Sequence, residues 1–115
     1  GNVAAGARVK LEAAGVGFDR FAVGAFGCDH EHRPELPAIA QRRAAERLGL
    51  ALDGADLVVV GDTPADVQCA RGVGARTLAV ATGRYDVDAL AAHAPTHVFA
   101  DLTDTDAVVA ALVAR

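Results

Sequence analysis

Leu57-Val58-Val59-Val60-Gly61-Asp62-Thr63-Pro64-Ala65-Asp66 reads as a buried strand delivered straight into a helix, with two carboxylates at the junction. Four apolar, mostly β-branched residues predict the strand, and Gly61 lets the backbone turn. Pro64 opens the helix, so Asp66 falls in its first turn. The carboxyl edge of a parallel sheet is where open α/β proteins place their ligands. Two carboxylates held there repel each other unless a cation or a proton lies between them. The spacing of Asp62 and Asp66 therefore points to a hard-metal site, with Mg²⁺ as the ion, because Mg²⁺ prefers oxygen ligands and keeps several waters. Thr63-Pro64-Ala65-Asp66 is equally a capping box, with Thr63 as N-cap and Asp66 at the third helical position. A cap accounts for Asp66 without any metal, but not for Asp62, a charge placed directly after a buried strand. From these residues alone both readings stand.

The rest of the chain narrows the class. Its 115 residues suit one small domain with one core, and 52% hydrophobic against 23% charged residues is the balance of a folded protein. Aromatics are only 4%, so Ala, Val and Leu must fill the interior. A net charge of −4 gives no general attraction for nucleic acid or an anionic membrane. No apolar run approaches a membrane span, and nothing resembles a signal peptide. Cys28 and Cys69 are too few for a disulfide framework or a four-ligand zinc site, so a reducing, cytoplasmic setting is expected. The chain has no methionine and begins Gly1-Asn2-Val3, which reads as a processed, excised or partial product.

Strands and helices alternate along the chain. A helix is expected over 3–14, stopped at Gly15 or Gly17, then a short strand at Phe21–Phe26 and a polar loop from Gly27 to Arg33. A second helix opens at Pro34 and ends at Gly49. The strand at 57–60 and a helix from Pro64 to about Val73 follow, then a strand at Thr77–Ala81, a short helix near Val87–His93, a strand at His97–Ala100 and a last helix over 105–114 capped by Thr103 or Asp104. This order predicts an α/β fold with a mostly parallel sheet, and one domain over 1–115.

The order of motifs resembles the haloacid dehalogenase-like (HAD) hydrolase superfamily, on its phosphoglycolate phosphatase-like side. Val58-Val59-Val60-Gly61-Asp62-Thr63-Pro64-Ala65-Asp66 resembles the fourth motif of that superfamily, a pair of Mg²⁺-binding acids. Cys69-Ala70-Arg71 through Gly74-Ala75-Arg76 and Val80-Ala81-Thr82-Gly83 continue the pattern. Arg33-Pro34-Glu35-Leu36 stands where the third motif has a Lys or Arg, and Gly1-Asn2 looks like the tail of the second. The resemblance implies a three-layer Rossmannoid fold, incomplete at its N-terminal side, from a Mg²⁺-dependent phosphatase acting on a small phosphorylated metabolite. It implies Asp62 and Asp66 as metal ligands, Arg33 as the catalytic cation on the phosphoryl group, Asn2 on the phosphate side, and Gly61 and Thr63 in support.

The same resemblance limits the expectation. The superfamily uses an Asp-x-Asp pair after its first strand, whose leading carboxylate attacks phosphorus to form an aspartyl phosphate. Asp86-Val87-Asp88 and Asp104-Thr105-Asp106 have that spacing, but neither follows a long buried strand, and both read as helix N-terminal acids. The nucleophile strand and the substrate-selecting cap domain are thus expected outside these residues. The 115-residue piece alone is expected to be inactive and poorly folded, with a gap beside strand 57–60. The alternatives are a non-catalytic α/β binding module with a relic metal site, a receiver-like phosphoacceptor domain, or, within the family, a phosphomutase or a haloacid dehalogenase. Among other residues, Asp29-His30-Glu31-His32 reads as a solvated loop, Arg42, Arg43 and Arg47 as a solvated helix face, and Cys69 as a small buried thiol.

Overall fold

A computed structural model describes residues 2–114, and these form two compact units that divide after Ala51. The first unit is helical. Its elements are α1 (Ala4–Ala13) and α2 (Leu36–Leu48). Gly15 (φ 79°) follows α1, and Gly49 (φ 66°) caps α2 in the left-handed conformation that costs glycine least. The helix expected from Pro34 begins as a 3-10 turn at Arg33–Glu35 and becomes α-helical at Leu36. Ile39 and Ala44 supply its buried face.

The expected strand at Phe21–Phe26 does not form; the segment is irregular. Two of the backbone groups a ladder would use there are claimed by side chains. The Phe26 N–H donates to Asp29 Oδ2 at 2.8 Å, and the Gly24 carbonyl accepts from Arg43 Nη1 at 2.7 Å. Phe26 instead stacks on Phe18, with ring centroids 5.9 Å apart. A short apolar run gives hydrophobicity without fixing period, and here ring stacking used it.

The second unit carries the sheet. Strands β1 (Val58–Gly61), β2 (Arg76–Val80) and β3 (His97–Phe99) lie in the order β1-β2-β3, all parallel. Their register sets Val60 against Leu78, Gly61 against Ala79, and Val80 against Phe99. Helix α3 (Pro64–Gly72) links β1 to β2, α4 (Val87–Ala91) links β2 to β3, and α5 (Thr105–Val113) follows. This is the α/β architecture with a parallel sheet that the alternation of elements predicts.

Central strand β2 is buried on both faces, as parallel strands usually are. Leu78 and Val80 point to one face and pack with Ala111, flanked by Val58, Phe99, Val108 and Leu112. Thr77 and Ala79 are buried on the other face, the one α3 covers with Val67 and Ala70. Arg76 begins β2 and donates to the carbonyls of Ala111 (3.4 Å) and Leu112 (3.2 Å), closing the carbonyl end of α5. A 3-10 turn at Gly54–Asp56, held by a capping box from Asp53, leads the chain into β1 and was not foreseen from the sequence. No helix among the described residues is long and apolar enough to cross a membrane.

Candidate functional site

Because the three strands are parallel, their carboxyl ends share one edge of the sheet. Asp62 leaves β1 there, Ala81-Thr82-Gly83 leaves β2, and Ala100-Asp101 leaves β3. This is the edge at which α/β sheets gather ligand-binding groups.

Asp66 arrives at the same end from the first turn of α3. Its carboxylate is buried, and its Oδ2 accepts from the Thr63 N–H at 3.0 Å and from Thr63 Oγ1 at 2.8 Å. The Asp66 N–H donates back to Thr63 Oγ1 at 3.4 Å. The expected capping box is therefore formed, with Thr63 as N-cap. It satisfies two of the N–H groups that a helix start otherwise leaves without partners.

Gly61 has a different role from the one its place after a strand suggests. Its φ is not positive, so the turn does not require glycine. A Cβ on Gly61 would overlap the Cβ, Cγ and Oδ2 of Asp66. The absent side chain is what lets Asp66 fold over the end of β1.

Asp62 is half-buried. Its carboxylate lies against Gly83, where a Cβ would stand 3.2 Å from Asp62 Cγ and overlap Oδ2. The sequence marks Gly83 only as the end of the family-like run Val80-Ala81-Thr82-Gly83; its nearness to Asp62 depends on the register of β1 against β2.

Arg33 and Asn2 belong to the other compact unit. Arg33 opens the 3-10 turn before α2 and is exposed. Asn2 is tied locally: its Oδ1 accepts from Lys10 Nζ at 2.9 Å and its carbonyl from the Gly27 N–H at 2.7 Å. In this unit the loop 24–33 is less free than a solvated loop. Arg43 makes a bidentate pair with Asp29, Nη1 to Oδ2 at 2.8 Å and Nη2 to Oδ1 at 2.7 Å. Those bonds, with the one from Phe26 N–H, hold the Asp29 carboxyl down at about 2. Arg43 is thus a loop anchor and not part of a solvated face.

The paired spacings at 86–88 and 104–106 are helix caps. Asp86 accepts from the Ala89 N–H at 2.8 Å at the start of α4, and Asp104 from the Ala107 N–H at 3.1 Å at the start of α5.

Among the described residues no three His, Cys, Asp or Glu groups converge as a metal cage. Mg²⁺ is commonly held by one or two carboxylates, the remaining positions going to water and substrate phosphate. The donors at this edge are all oxygen, and two glycines leave room around them, so the residues suit that ion.

A parallel sheet with acids gathered at its carboxyl edge defines a Rossmannoid α/β protein. The HAD-hydrolase-like family model matches residues 35–105, more than half of the chain, and the chain belongs to that family, within the HAD superfamily of hydrolases. The match takes in α2, β1 with Asp62 and Asp66, β2 with Gly83, and β3. No curated protein matches the chain.

Proposed function

We propose that the chain is the metal-binding part of a Mg²⁺-dependent, phosphoglycolate phosphatase-like enzyme that releases phosphate from a small phosphomonoester. The observation that carries this reading is Asp62 at the carboxyl end of β1, with Asp66 folded over Gly61 at that same end. Asp62, unlike Asp66, takes no part in the capping box of α3, and the family to which the chain belongs is one of hydrolases.

In the proposed reaction a carboxylate from outside these 115 residues attacks phosphorus, and the alcohol leaves with a proton. Water then cleaves the resulting acyl phosphate and frees inorganic phosphate. When bound, Mg²⁺ would offset the charge on the transferring phosphoryl group. Asp62 provides the ligand oxygen at the strand end. Asp66 adds a second carboxylate whose orientation Thr63 fixes through Oδ2. By resemblance to the family alone, Arg33 is assigned the role of catalytic cation and Asn2 that of a phosphate-side residue. The position of β1 at an edge of its sheet, with Val60 half exposed, supports a missing neighbour strand that brings the nucleophile.

The capping box favours a second reading. Asp66 already has a structural use, which a non-catalytic α/β module would retain. The two part on one experiment. In the protein that carries both halves of the site, Asp62→Asn removes Mg²⁺-dependent phosphate release from p-nitrophenyl phosphate by about 100-fold or more. Unchanged turnover would remove Asp62 from the metal site, and no turnover in the unaltered protein would favour the module.

A further inference from the structure

We infer that Gly83 is a positioning residue for Asp62, and that its missing side chain is the space into which the Asp62 carboxylate is turned. The inference rests on the proposed metal role of Asp62 for its consequence, but not for its geometry.

Each acid of the pair has its own glycine. Gly61 makes room for Asp66 within one strand–helix junction, where the two residues are close in sequence. Gly83 does the same for Asp62 across two strands. It belongs to the turn after β2, and the β1–β2 register, Gly61 against Ala79, lays that turn beside the residue that follows Gly61. Neither glycine has a positive φ, so backbone conformation does not require them. Room does.

The atoms a Cβ at 83 would meet decide what a substitution does. All three nearest are side-chain atoms of Asp62: Oδ2 first, then Cγ at 3.2 Å and Cβ at 3.6 Å. No backbone atom blocks the position. The turn can therefore keep its path while the carboxylate swings to another rotamer. At Gly61 the corresponding neighbour is a buried carboxylate fixed by two bonds from Thr63, which has no such freedom. Gly83→Ala is thus expected to leave the fold and turn Asp62 away from the edge of the sheet. Groups that orient a ligand without touching the ion commonly change metal affinity by about 10- to 100-fold.

The test uses the protein that carries both halves of the site and four variants of it: Gly83→Ala, Asp62→Asn, Asp62→Ala, and the Asp62→Ala/Gly83→Ala pair. Mg²⁺ titrations followed by carboxyl-carbon NMR give the affinity, and thermal melts give the coupling. Gly83→Ala should weaken Mg²⁺ by about 10- to 100-fold with the folded spectrum retained. It should lower the melting midpoint more when Asp62 is present than when residue 62 is Ala, because the carboxylate it collides with has then been removed. Wild-type Mg²⁺ affinity in Gly83→Ala, or an equal melting shift in both backgrounds, would overturn the inference. If the unaltered protein shows no Mg²⁺ binding, the metal reading fails separately, and the melting cycle alone decides Gly83.

Discussion

Thr63 and Asp66 hold each other reciprocally. Asp66 Oδ2 accepts both the N–H and the hydroxyl of Thr63, at 3.0 and 2.8 Å, while the Asp66 N–H donates to Thr63 Oγ1. The box starts α3 and also fixes where one carboxylate of the acid pair stands. Thr63→Ala removes the hydroxyl and should cost about 1 kcal/mol, read from chemical denaturation. Mg²⁺ affinity should fall with it, because Asp66 loses one of the bonds that orients it. Full stability in Thr63→Ala would mean that the box contributes nothing to holding α3.

Gly61→Ala places a methyl group in the Asp66 carboxylate. The overpacking should destabilise the chain by about 1–3 kcal/mol. Combining it with Asp66→Ala should cost less than the two single changes summed, since the second removes the atoms the first collides with. Strict additivity in denaturation measurements would contradict the close approach.

Asp29 makes the acid limb of stability predictable. Its carboxyl ordinarily titrates at 3.8 and is held at about 2, first by Arg43 and then by the Phe26 N–H. A depressed folded value means that the unfolded chain takes up the proton first. The stabilisation is therefore complete above pH 4, fades as pH falls from about 4 towards 2, and is gone below that. Asp101 shifts in the same direction through the Thr103 hydroxyl and N–H. Asp29→Asn should flatten its part of this limb, which stability measured against pH will reveal. An unchanged limb would show that the pair with Arg43 is not maintained in solution.

Leu78 is fully buried between the neighbours β1 and β3, facing Ala111 on α5. Leu78→Ala should cost about 3 kcal/mol, a large share of the stability a chain of this size has to lose. Val60 lies beside it on edge strand β1 and is half exposed, so Val60→Thr should stay within about 0.5 kcal/mol. Equal losses at both positions would mean that β1 is covered.

What could be read from the sequence was what neighbours in the chain decide. A β-branched run marked β1 and a short apolar run marked β2. Asp86 and Asp104 were readable as N-terminal acids because the N–H groups they cap lie three residues on. Thr63 and Asp66 form a box at the same short range. What escaped was decided by contacts between distant segments. Nothing near Asp29 announces Arg43, which reaches it from the middle of α2. Phe21–Phe26 has a strand's composition, yet the Phe26 ring and N–H and the Gly24 carbonyl found other partners. Gly83 gained its meaning from the β1–β2 register alone. The family match supplied the hydrolase class, because two acids and an arginine do not by themselves distinguish an enzyme from a capped helix.

In the function proposed, Asp62 holds Mg²⁺ at the carboxyl end of β1. A Mg²⁺ titration of the unaltered protein and of Asp62→Asn, followed at the carboxyl carbons, tests it most directly. A saturable shift at Asp62 and Asp66 is expected in the unaltered protein that carries both halves of the site, with its loss in Asp62→Asn while the fold stays intact. Equal Mg²⁺ binding by the two proteins would contradict it.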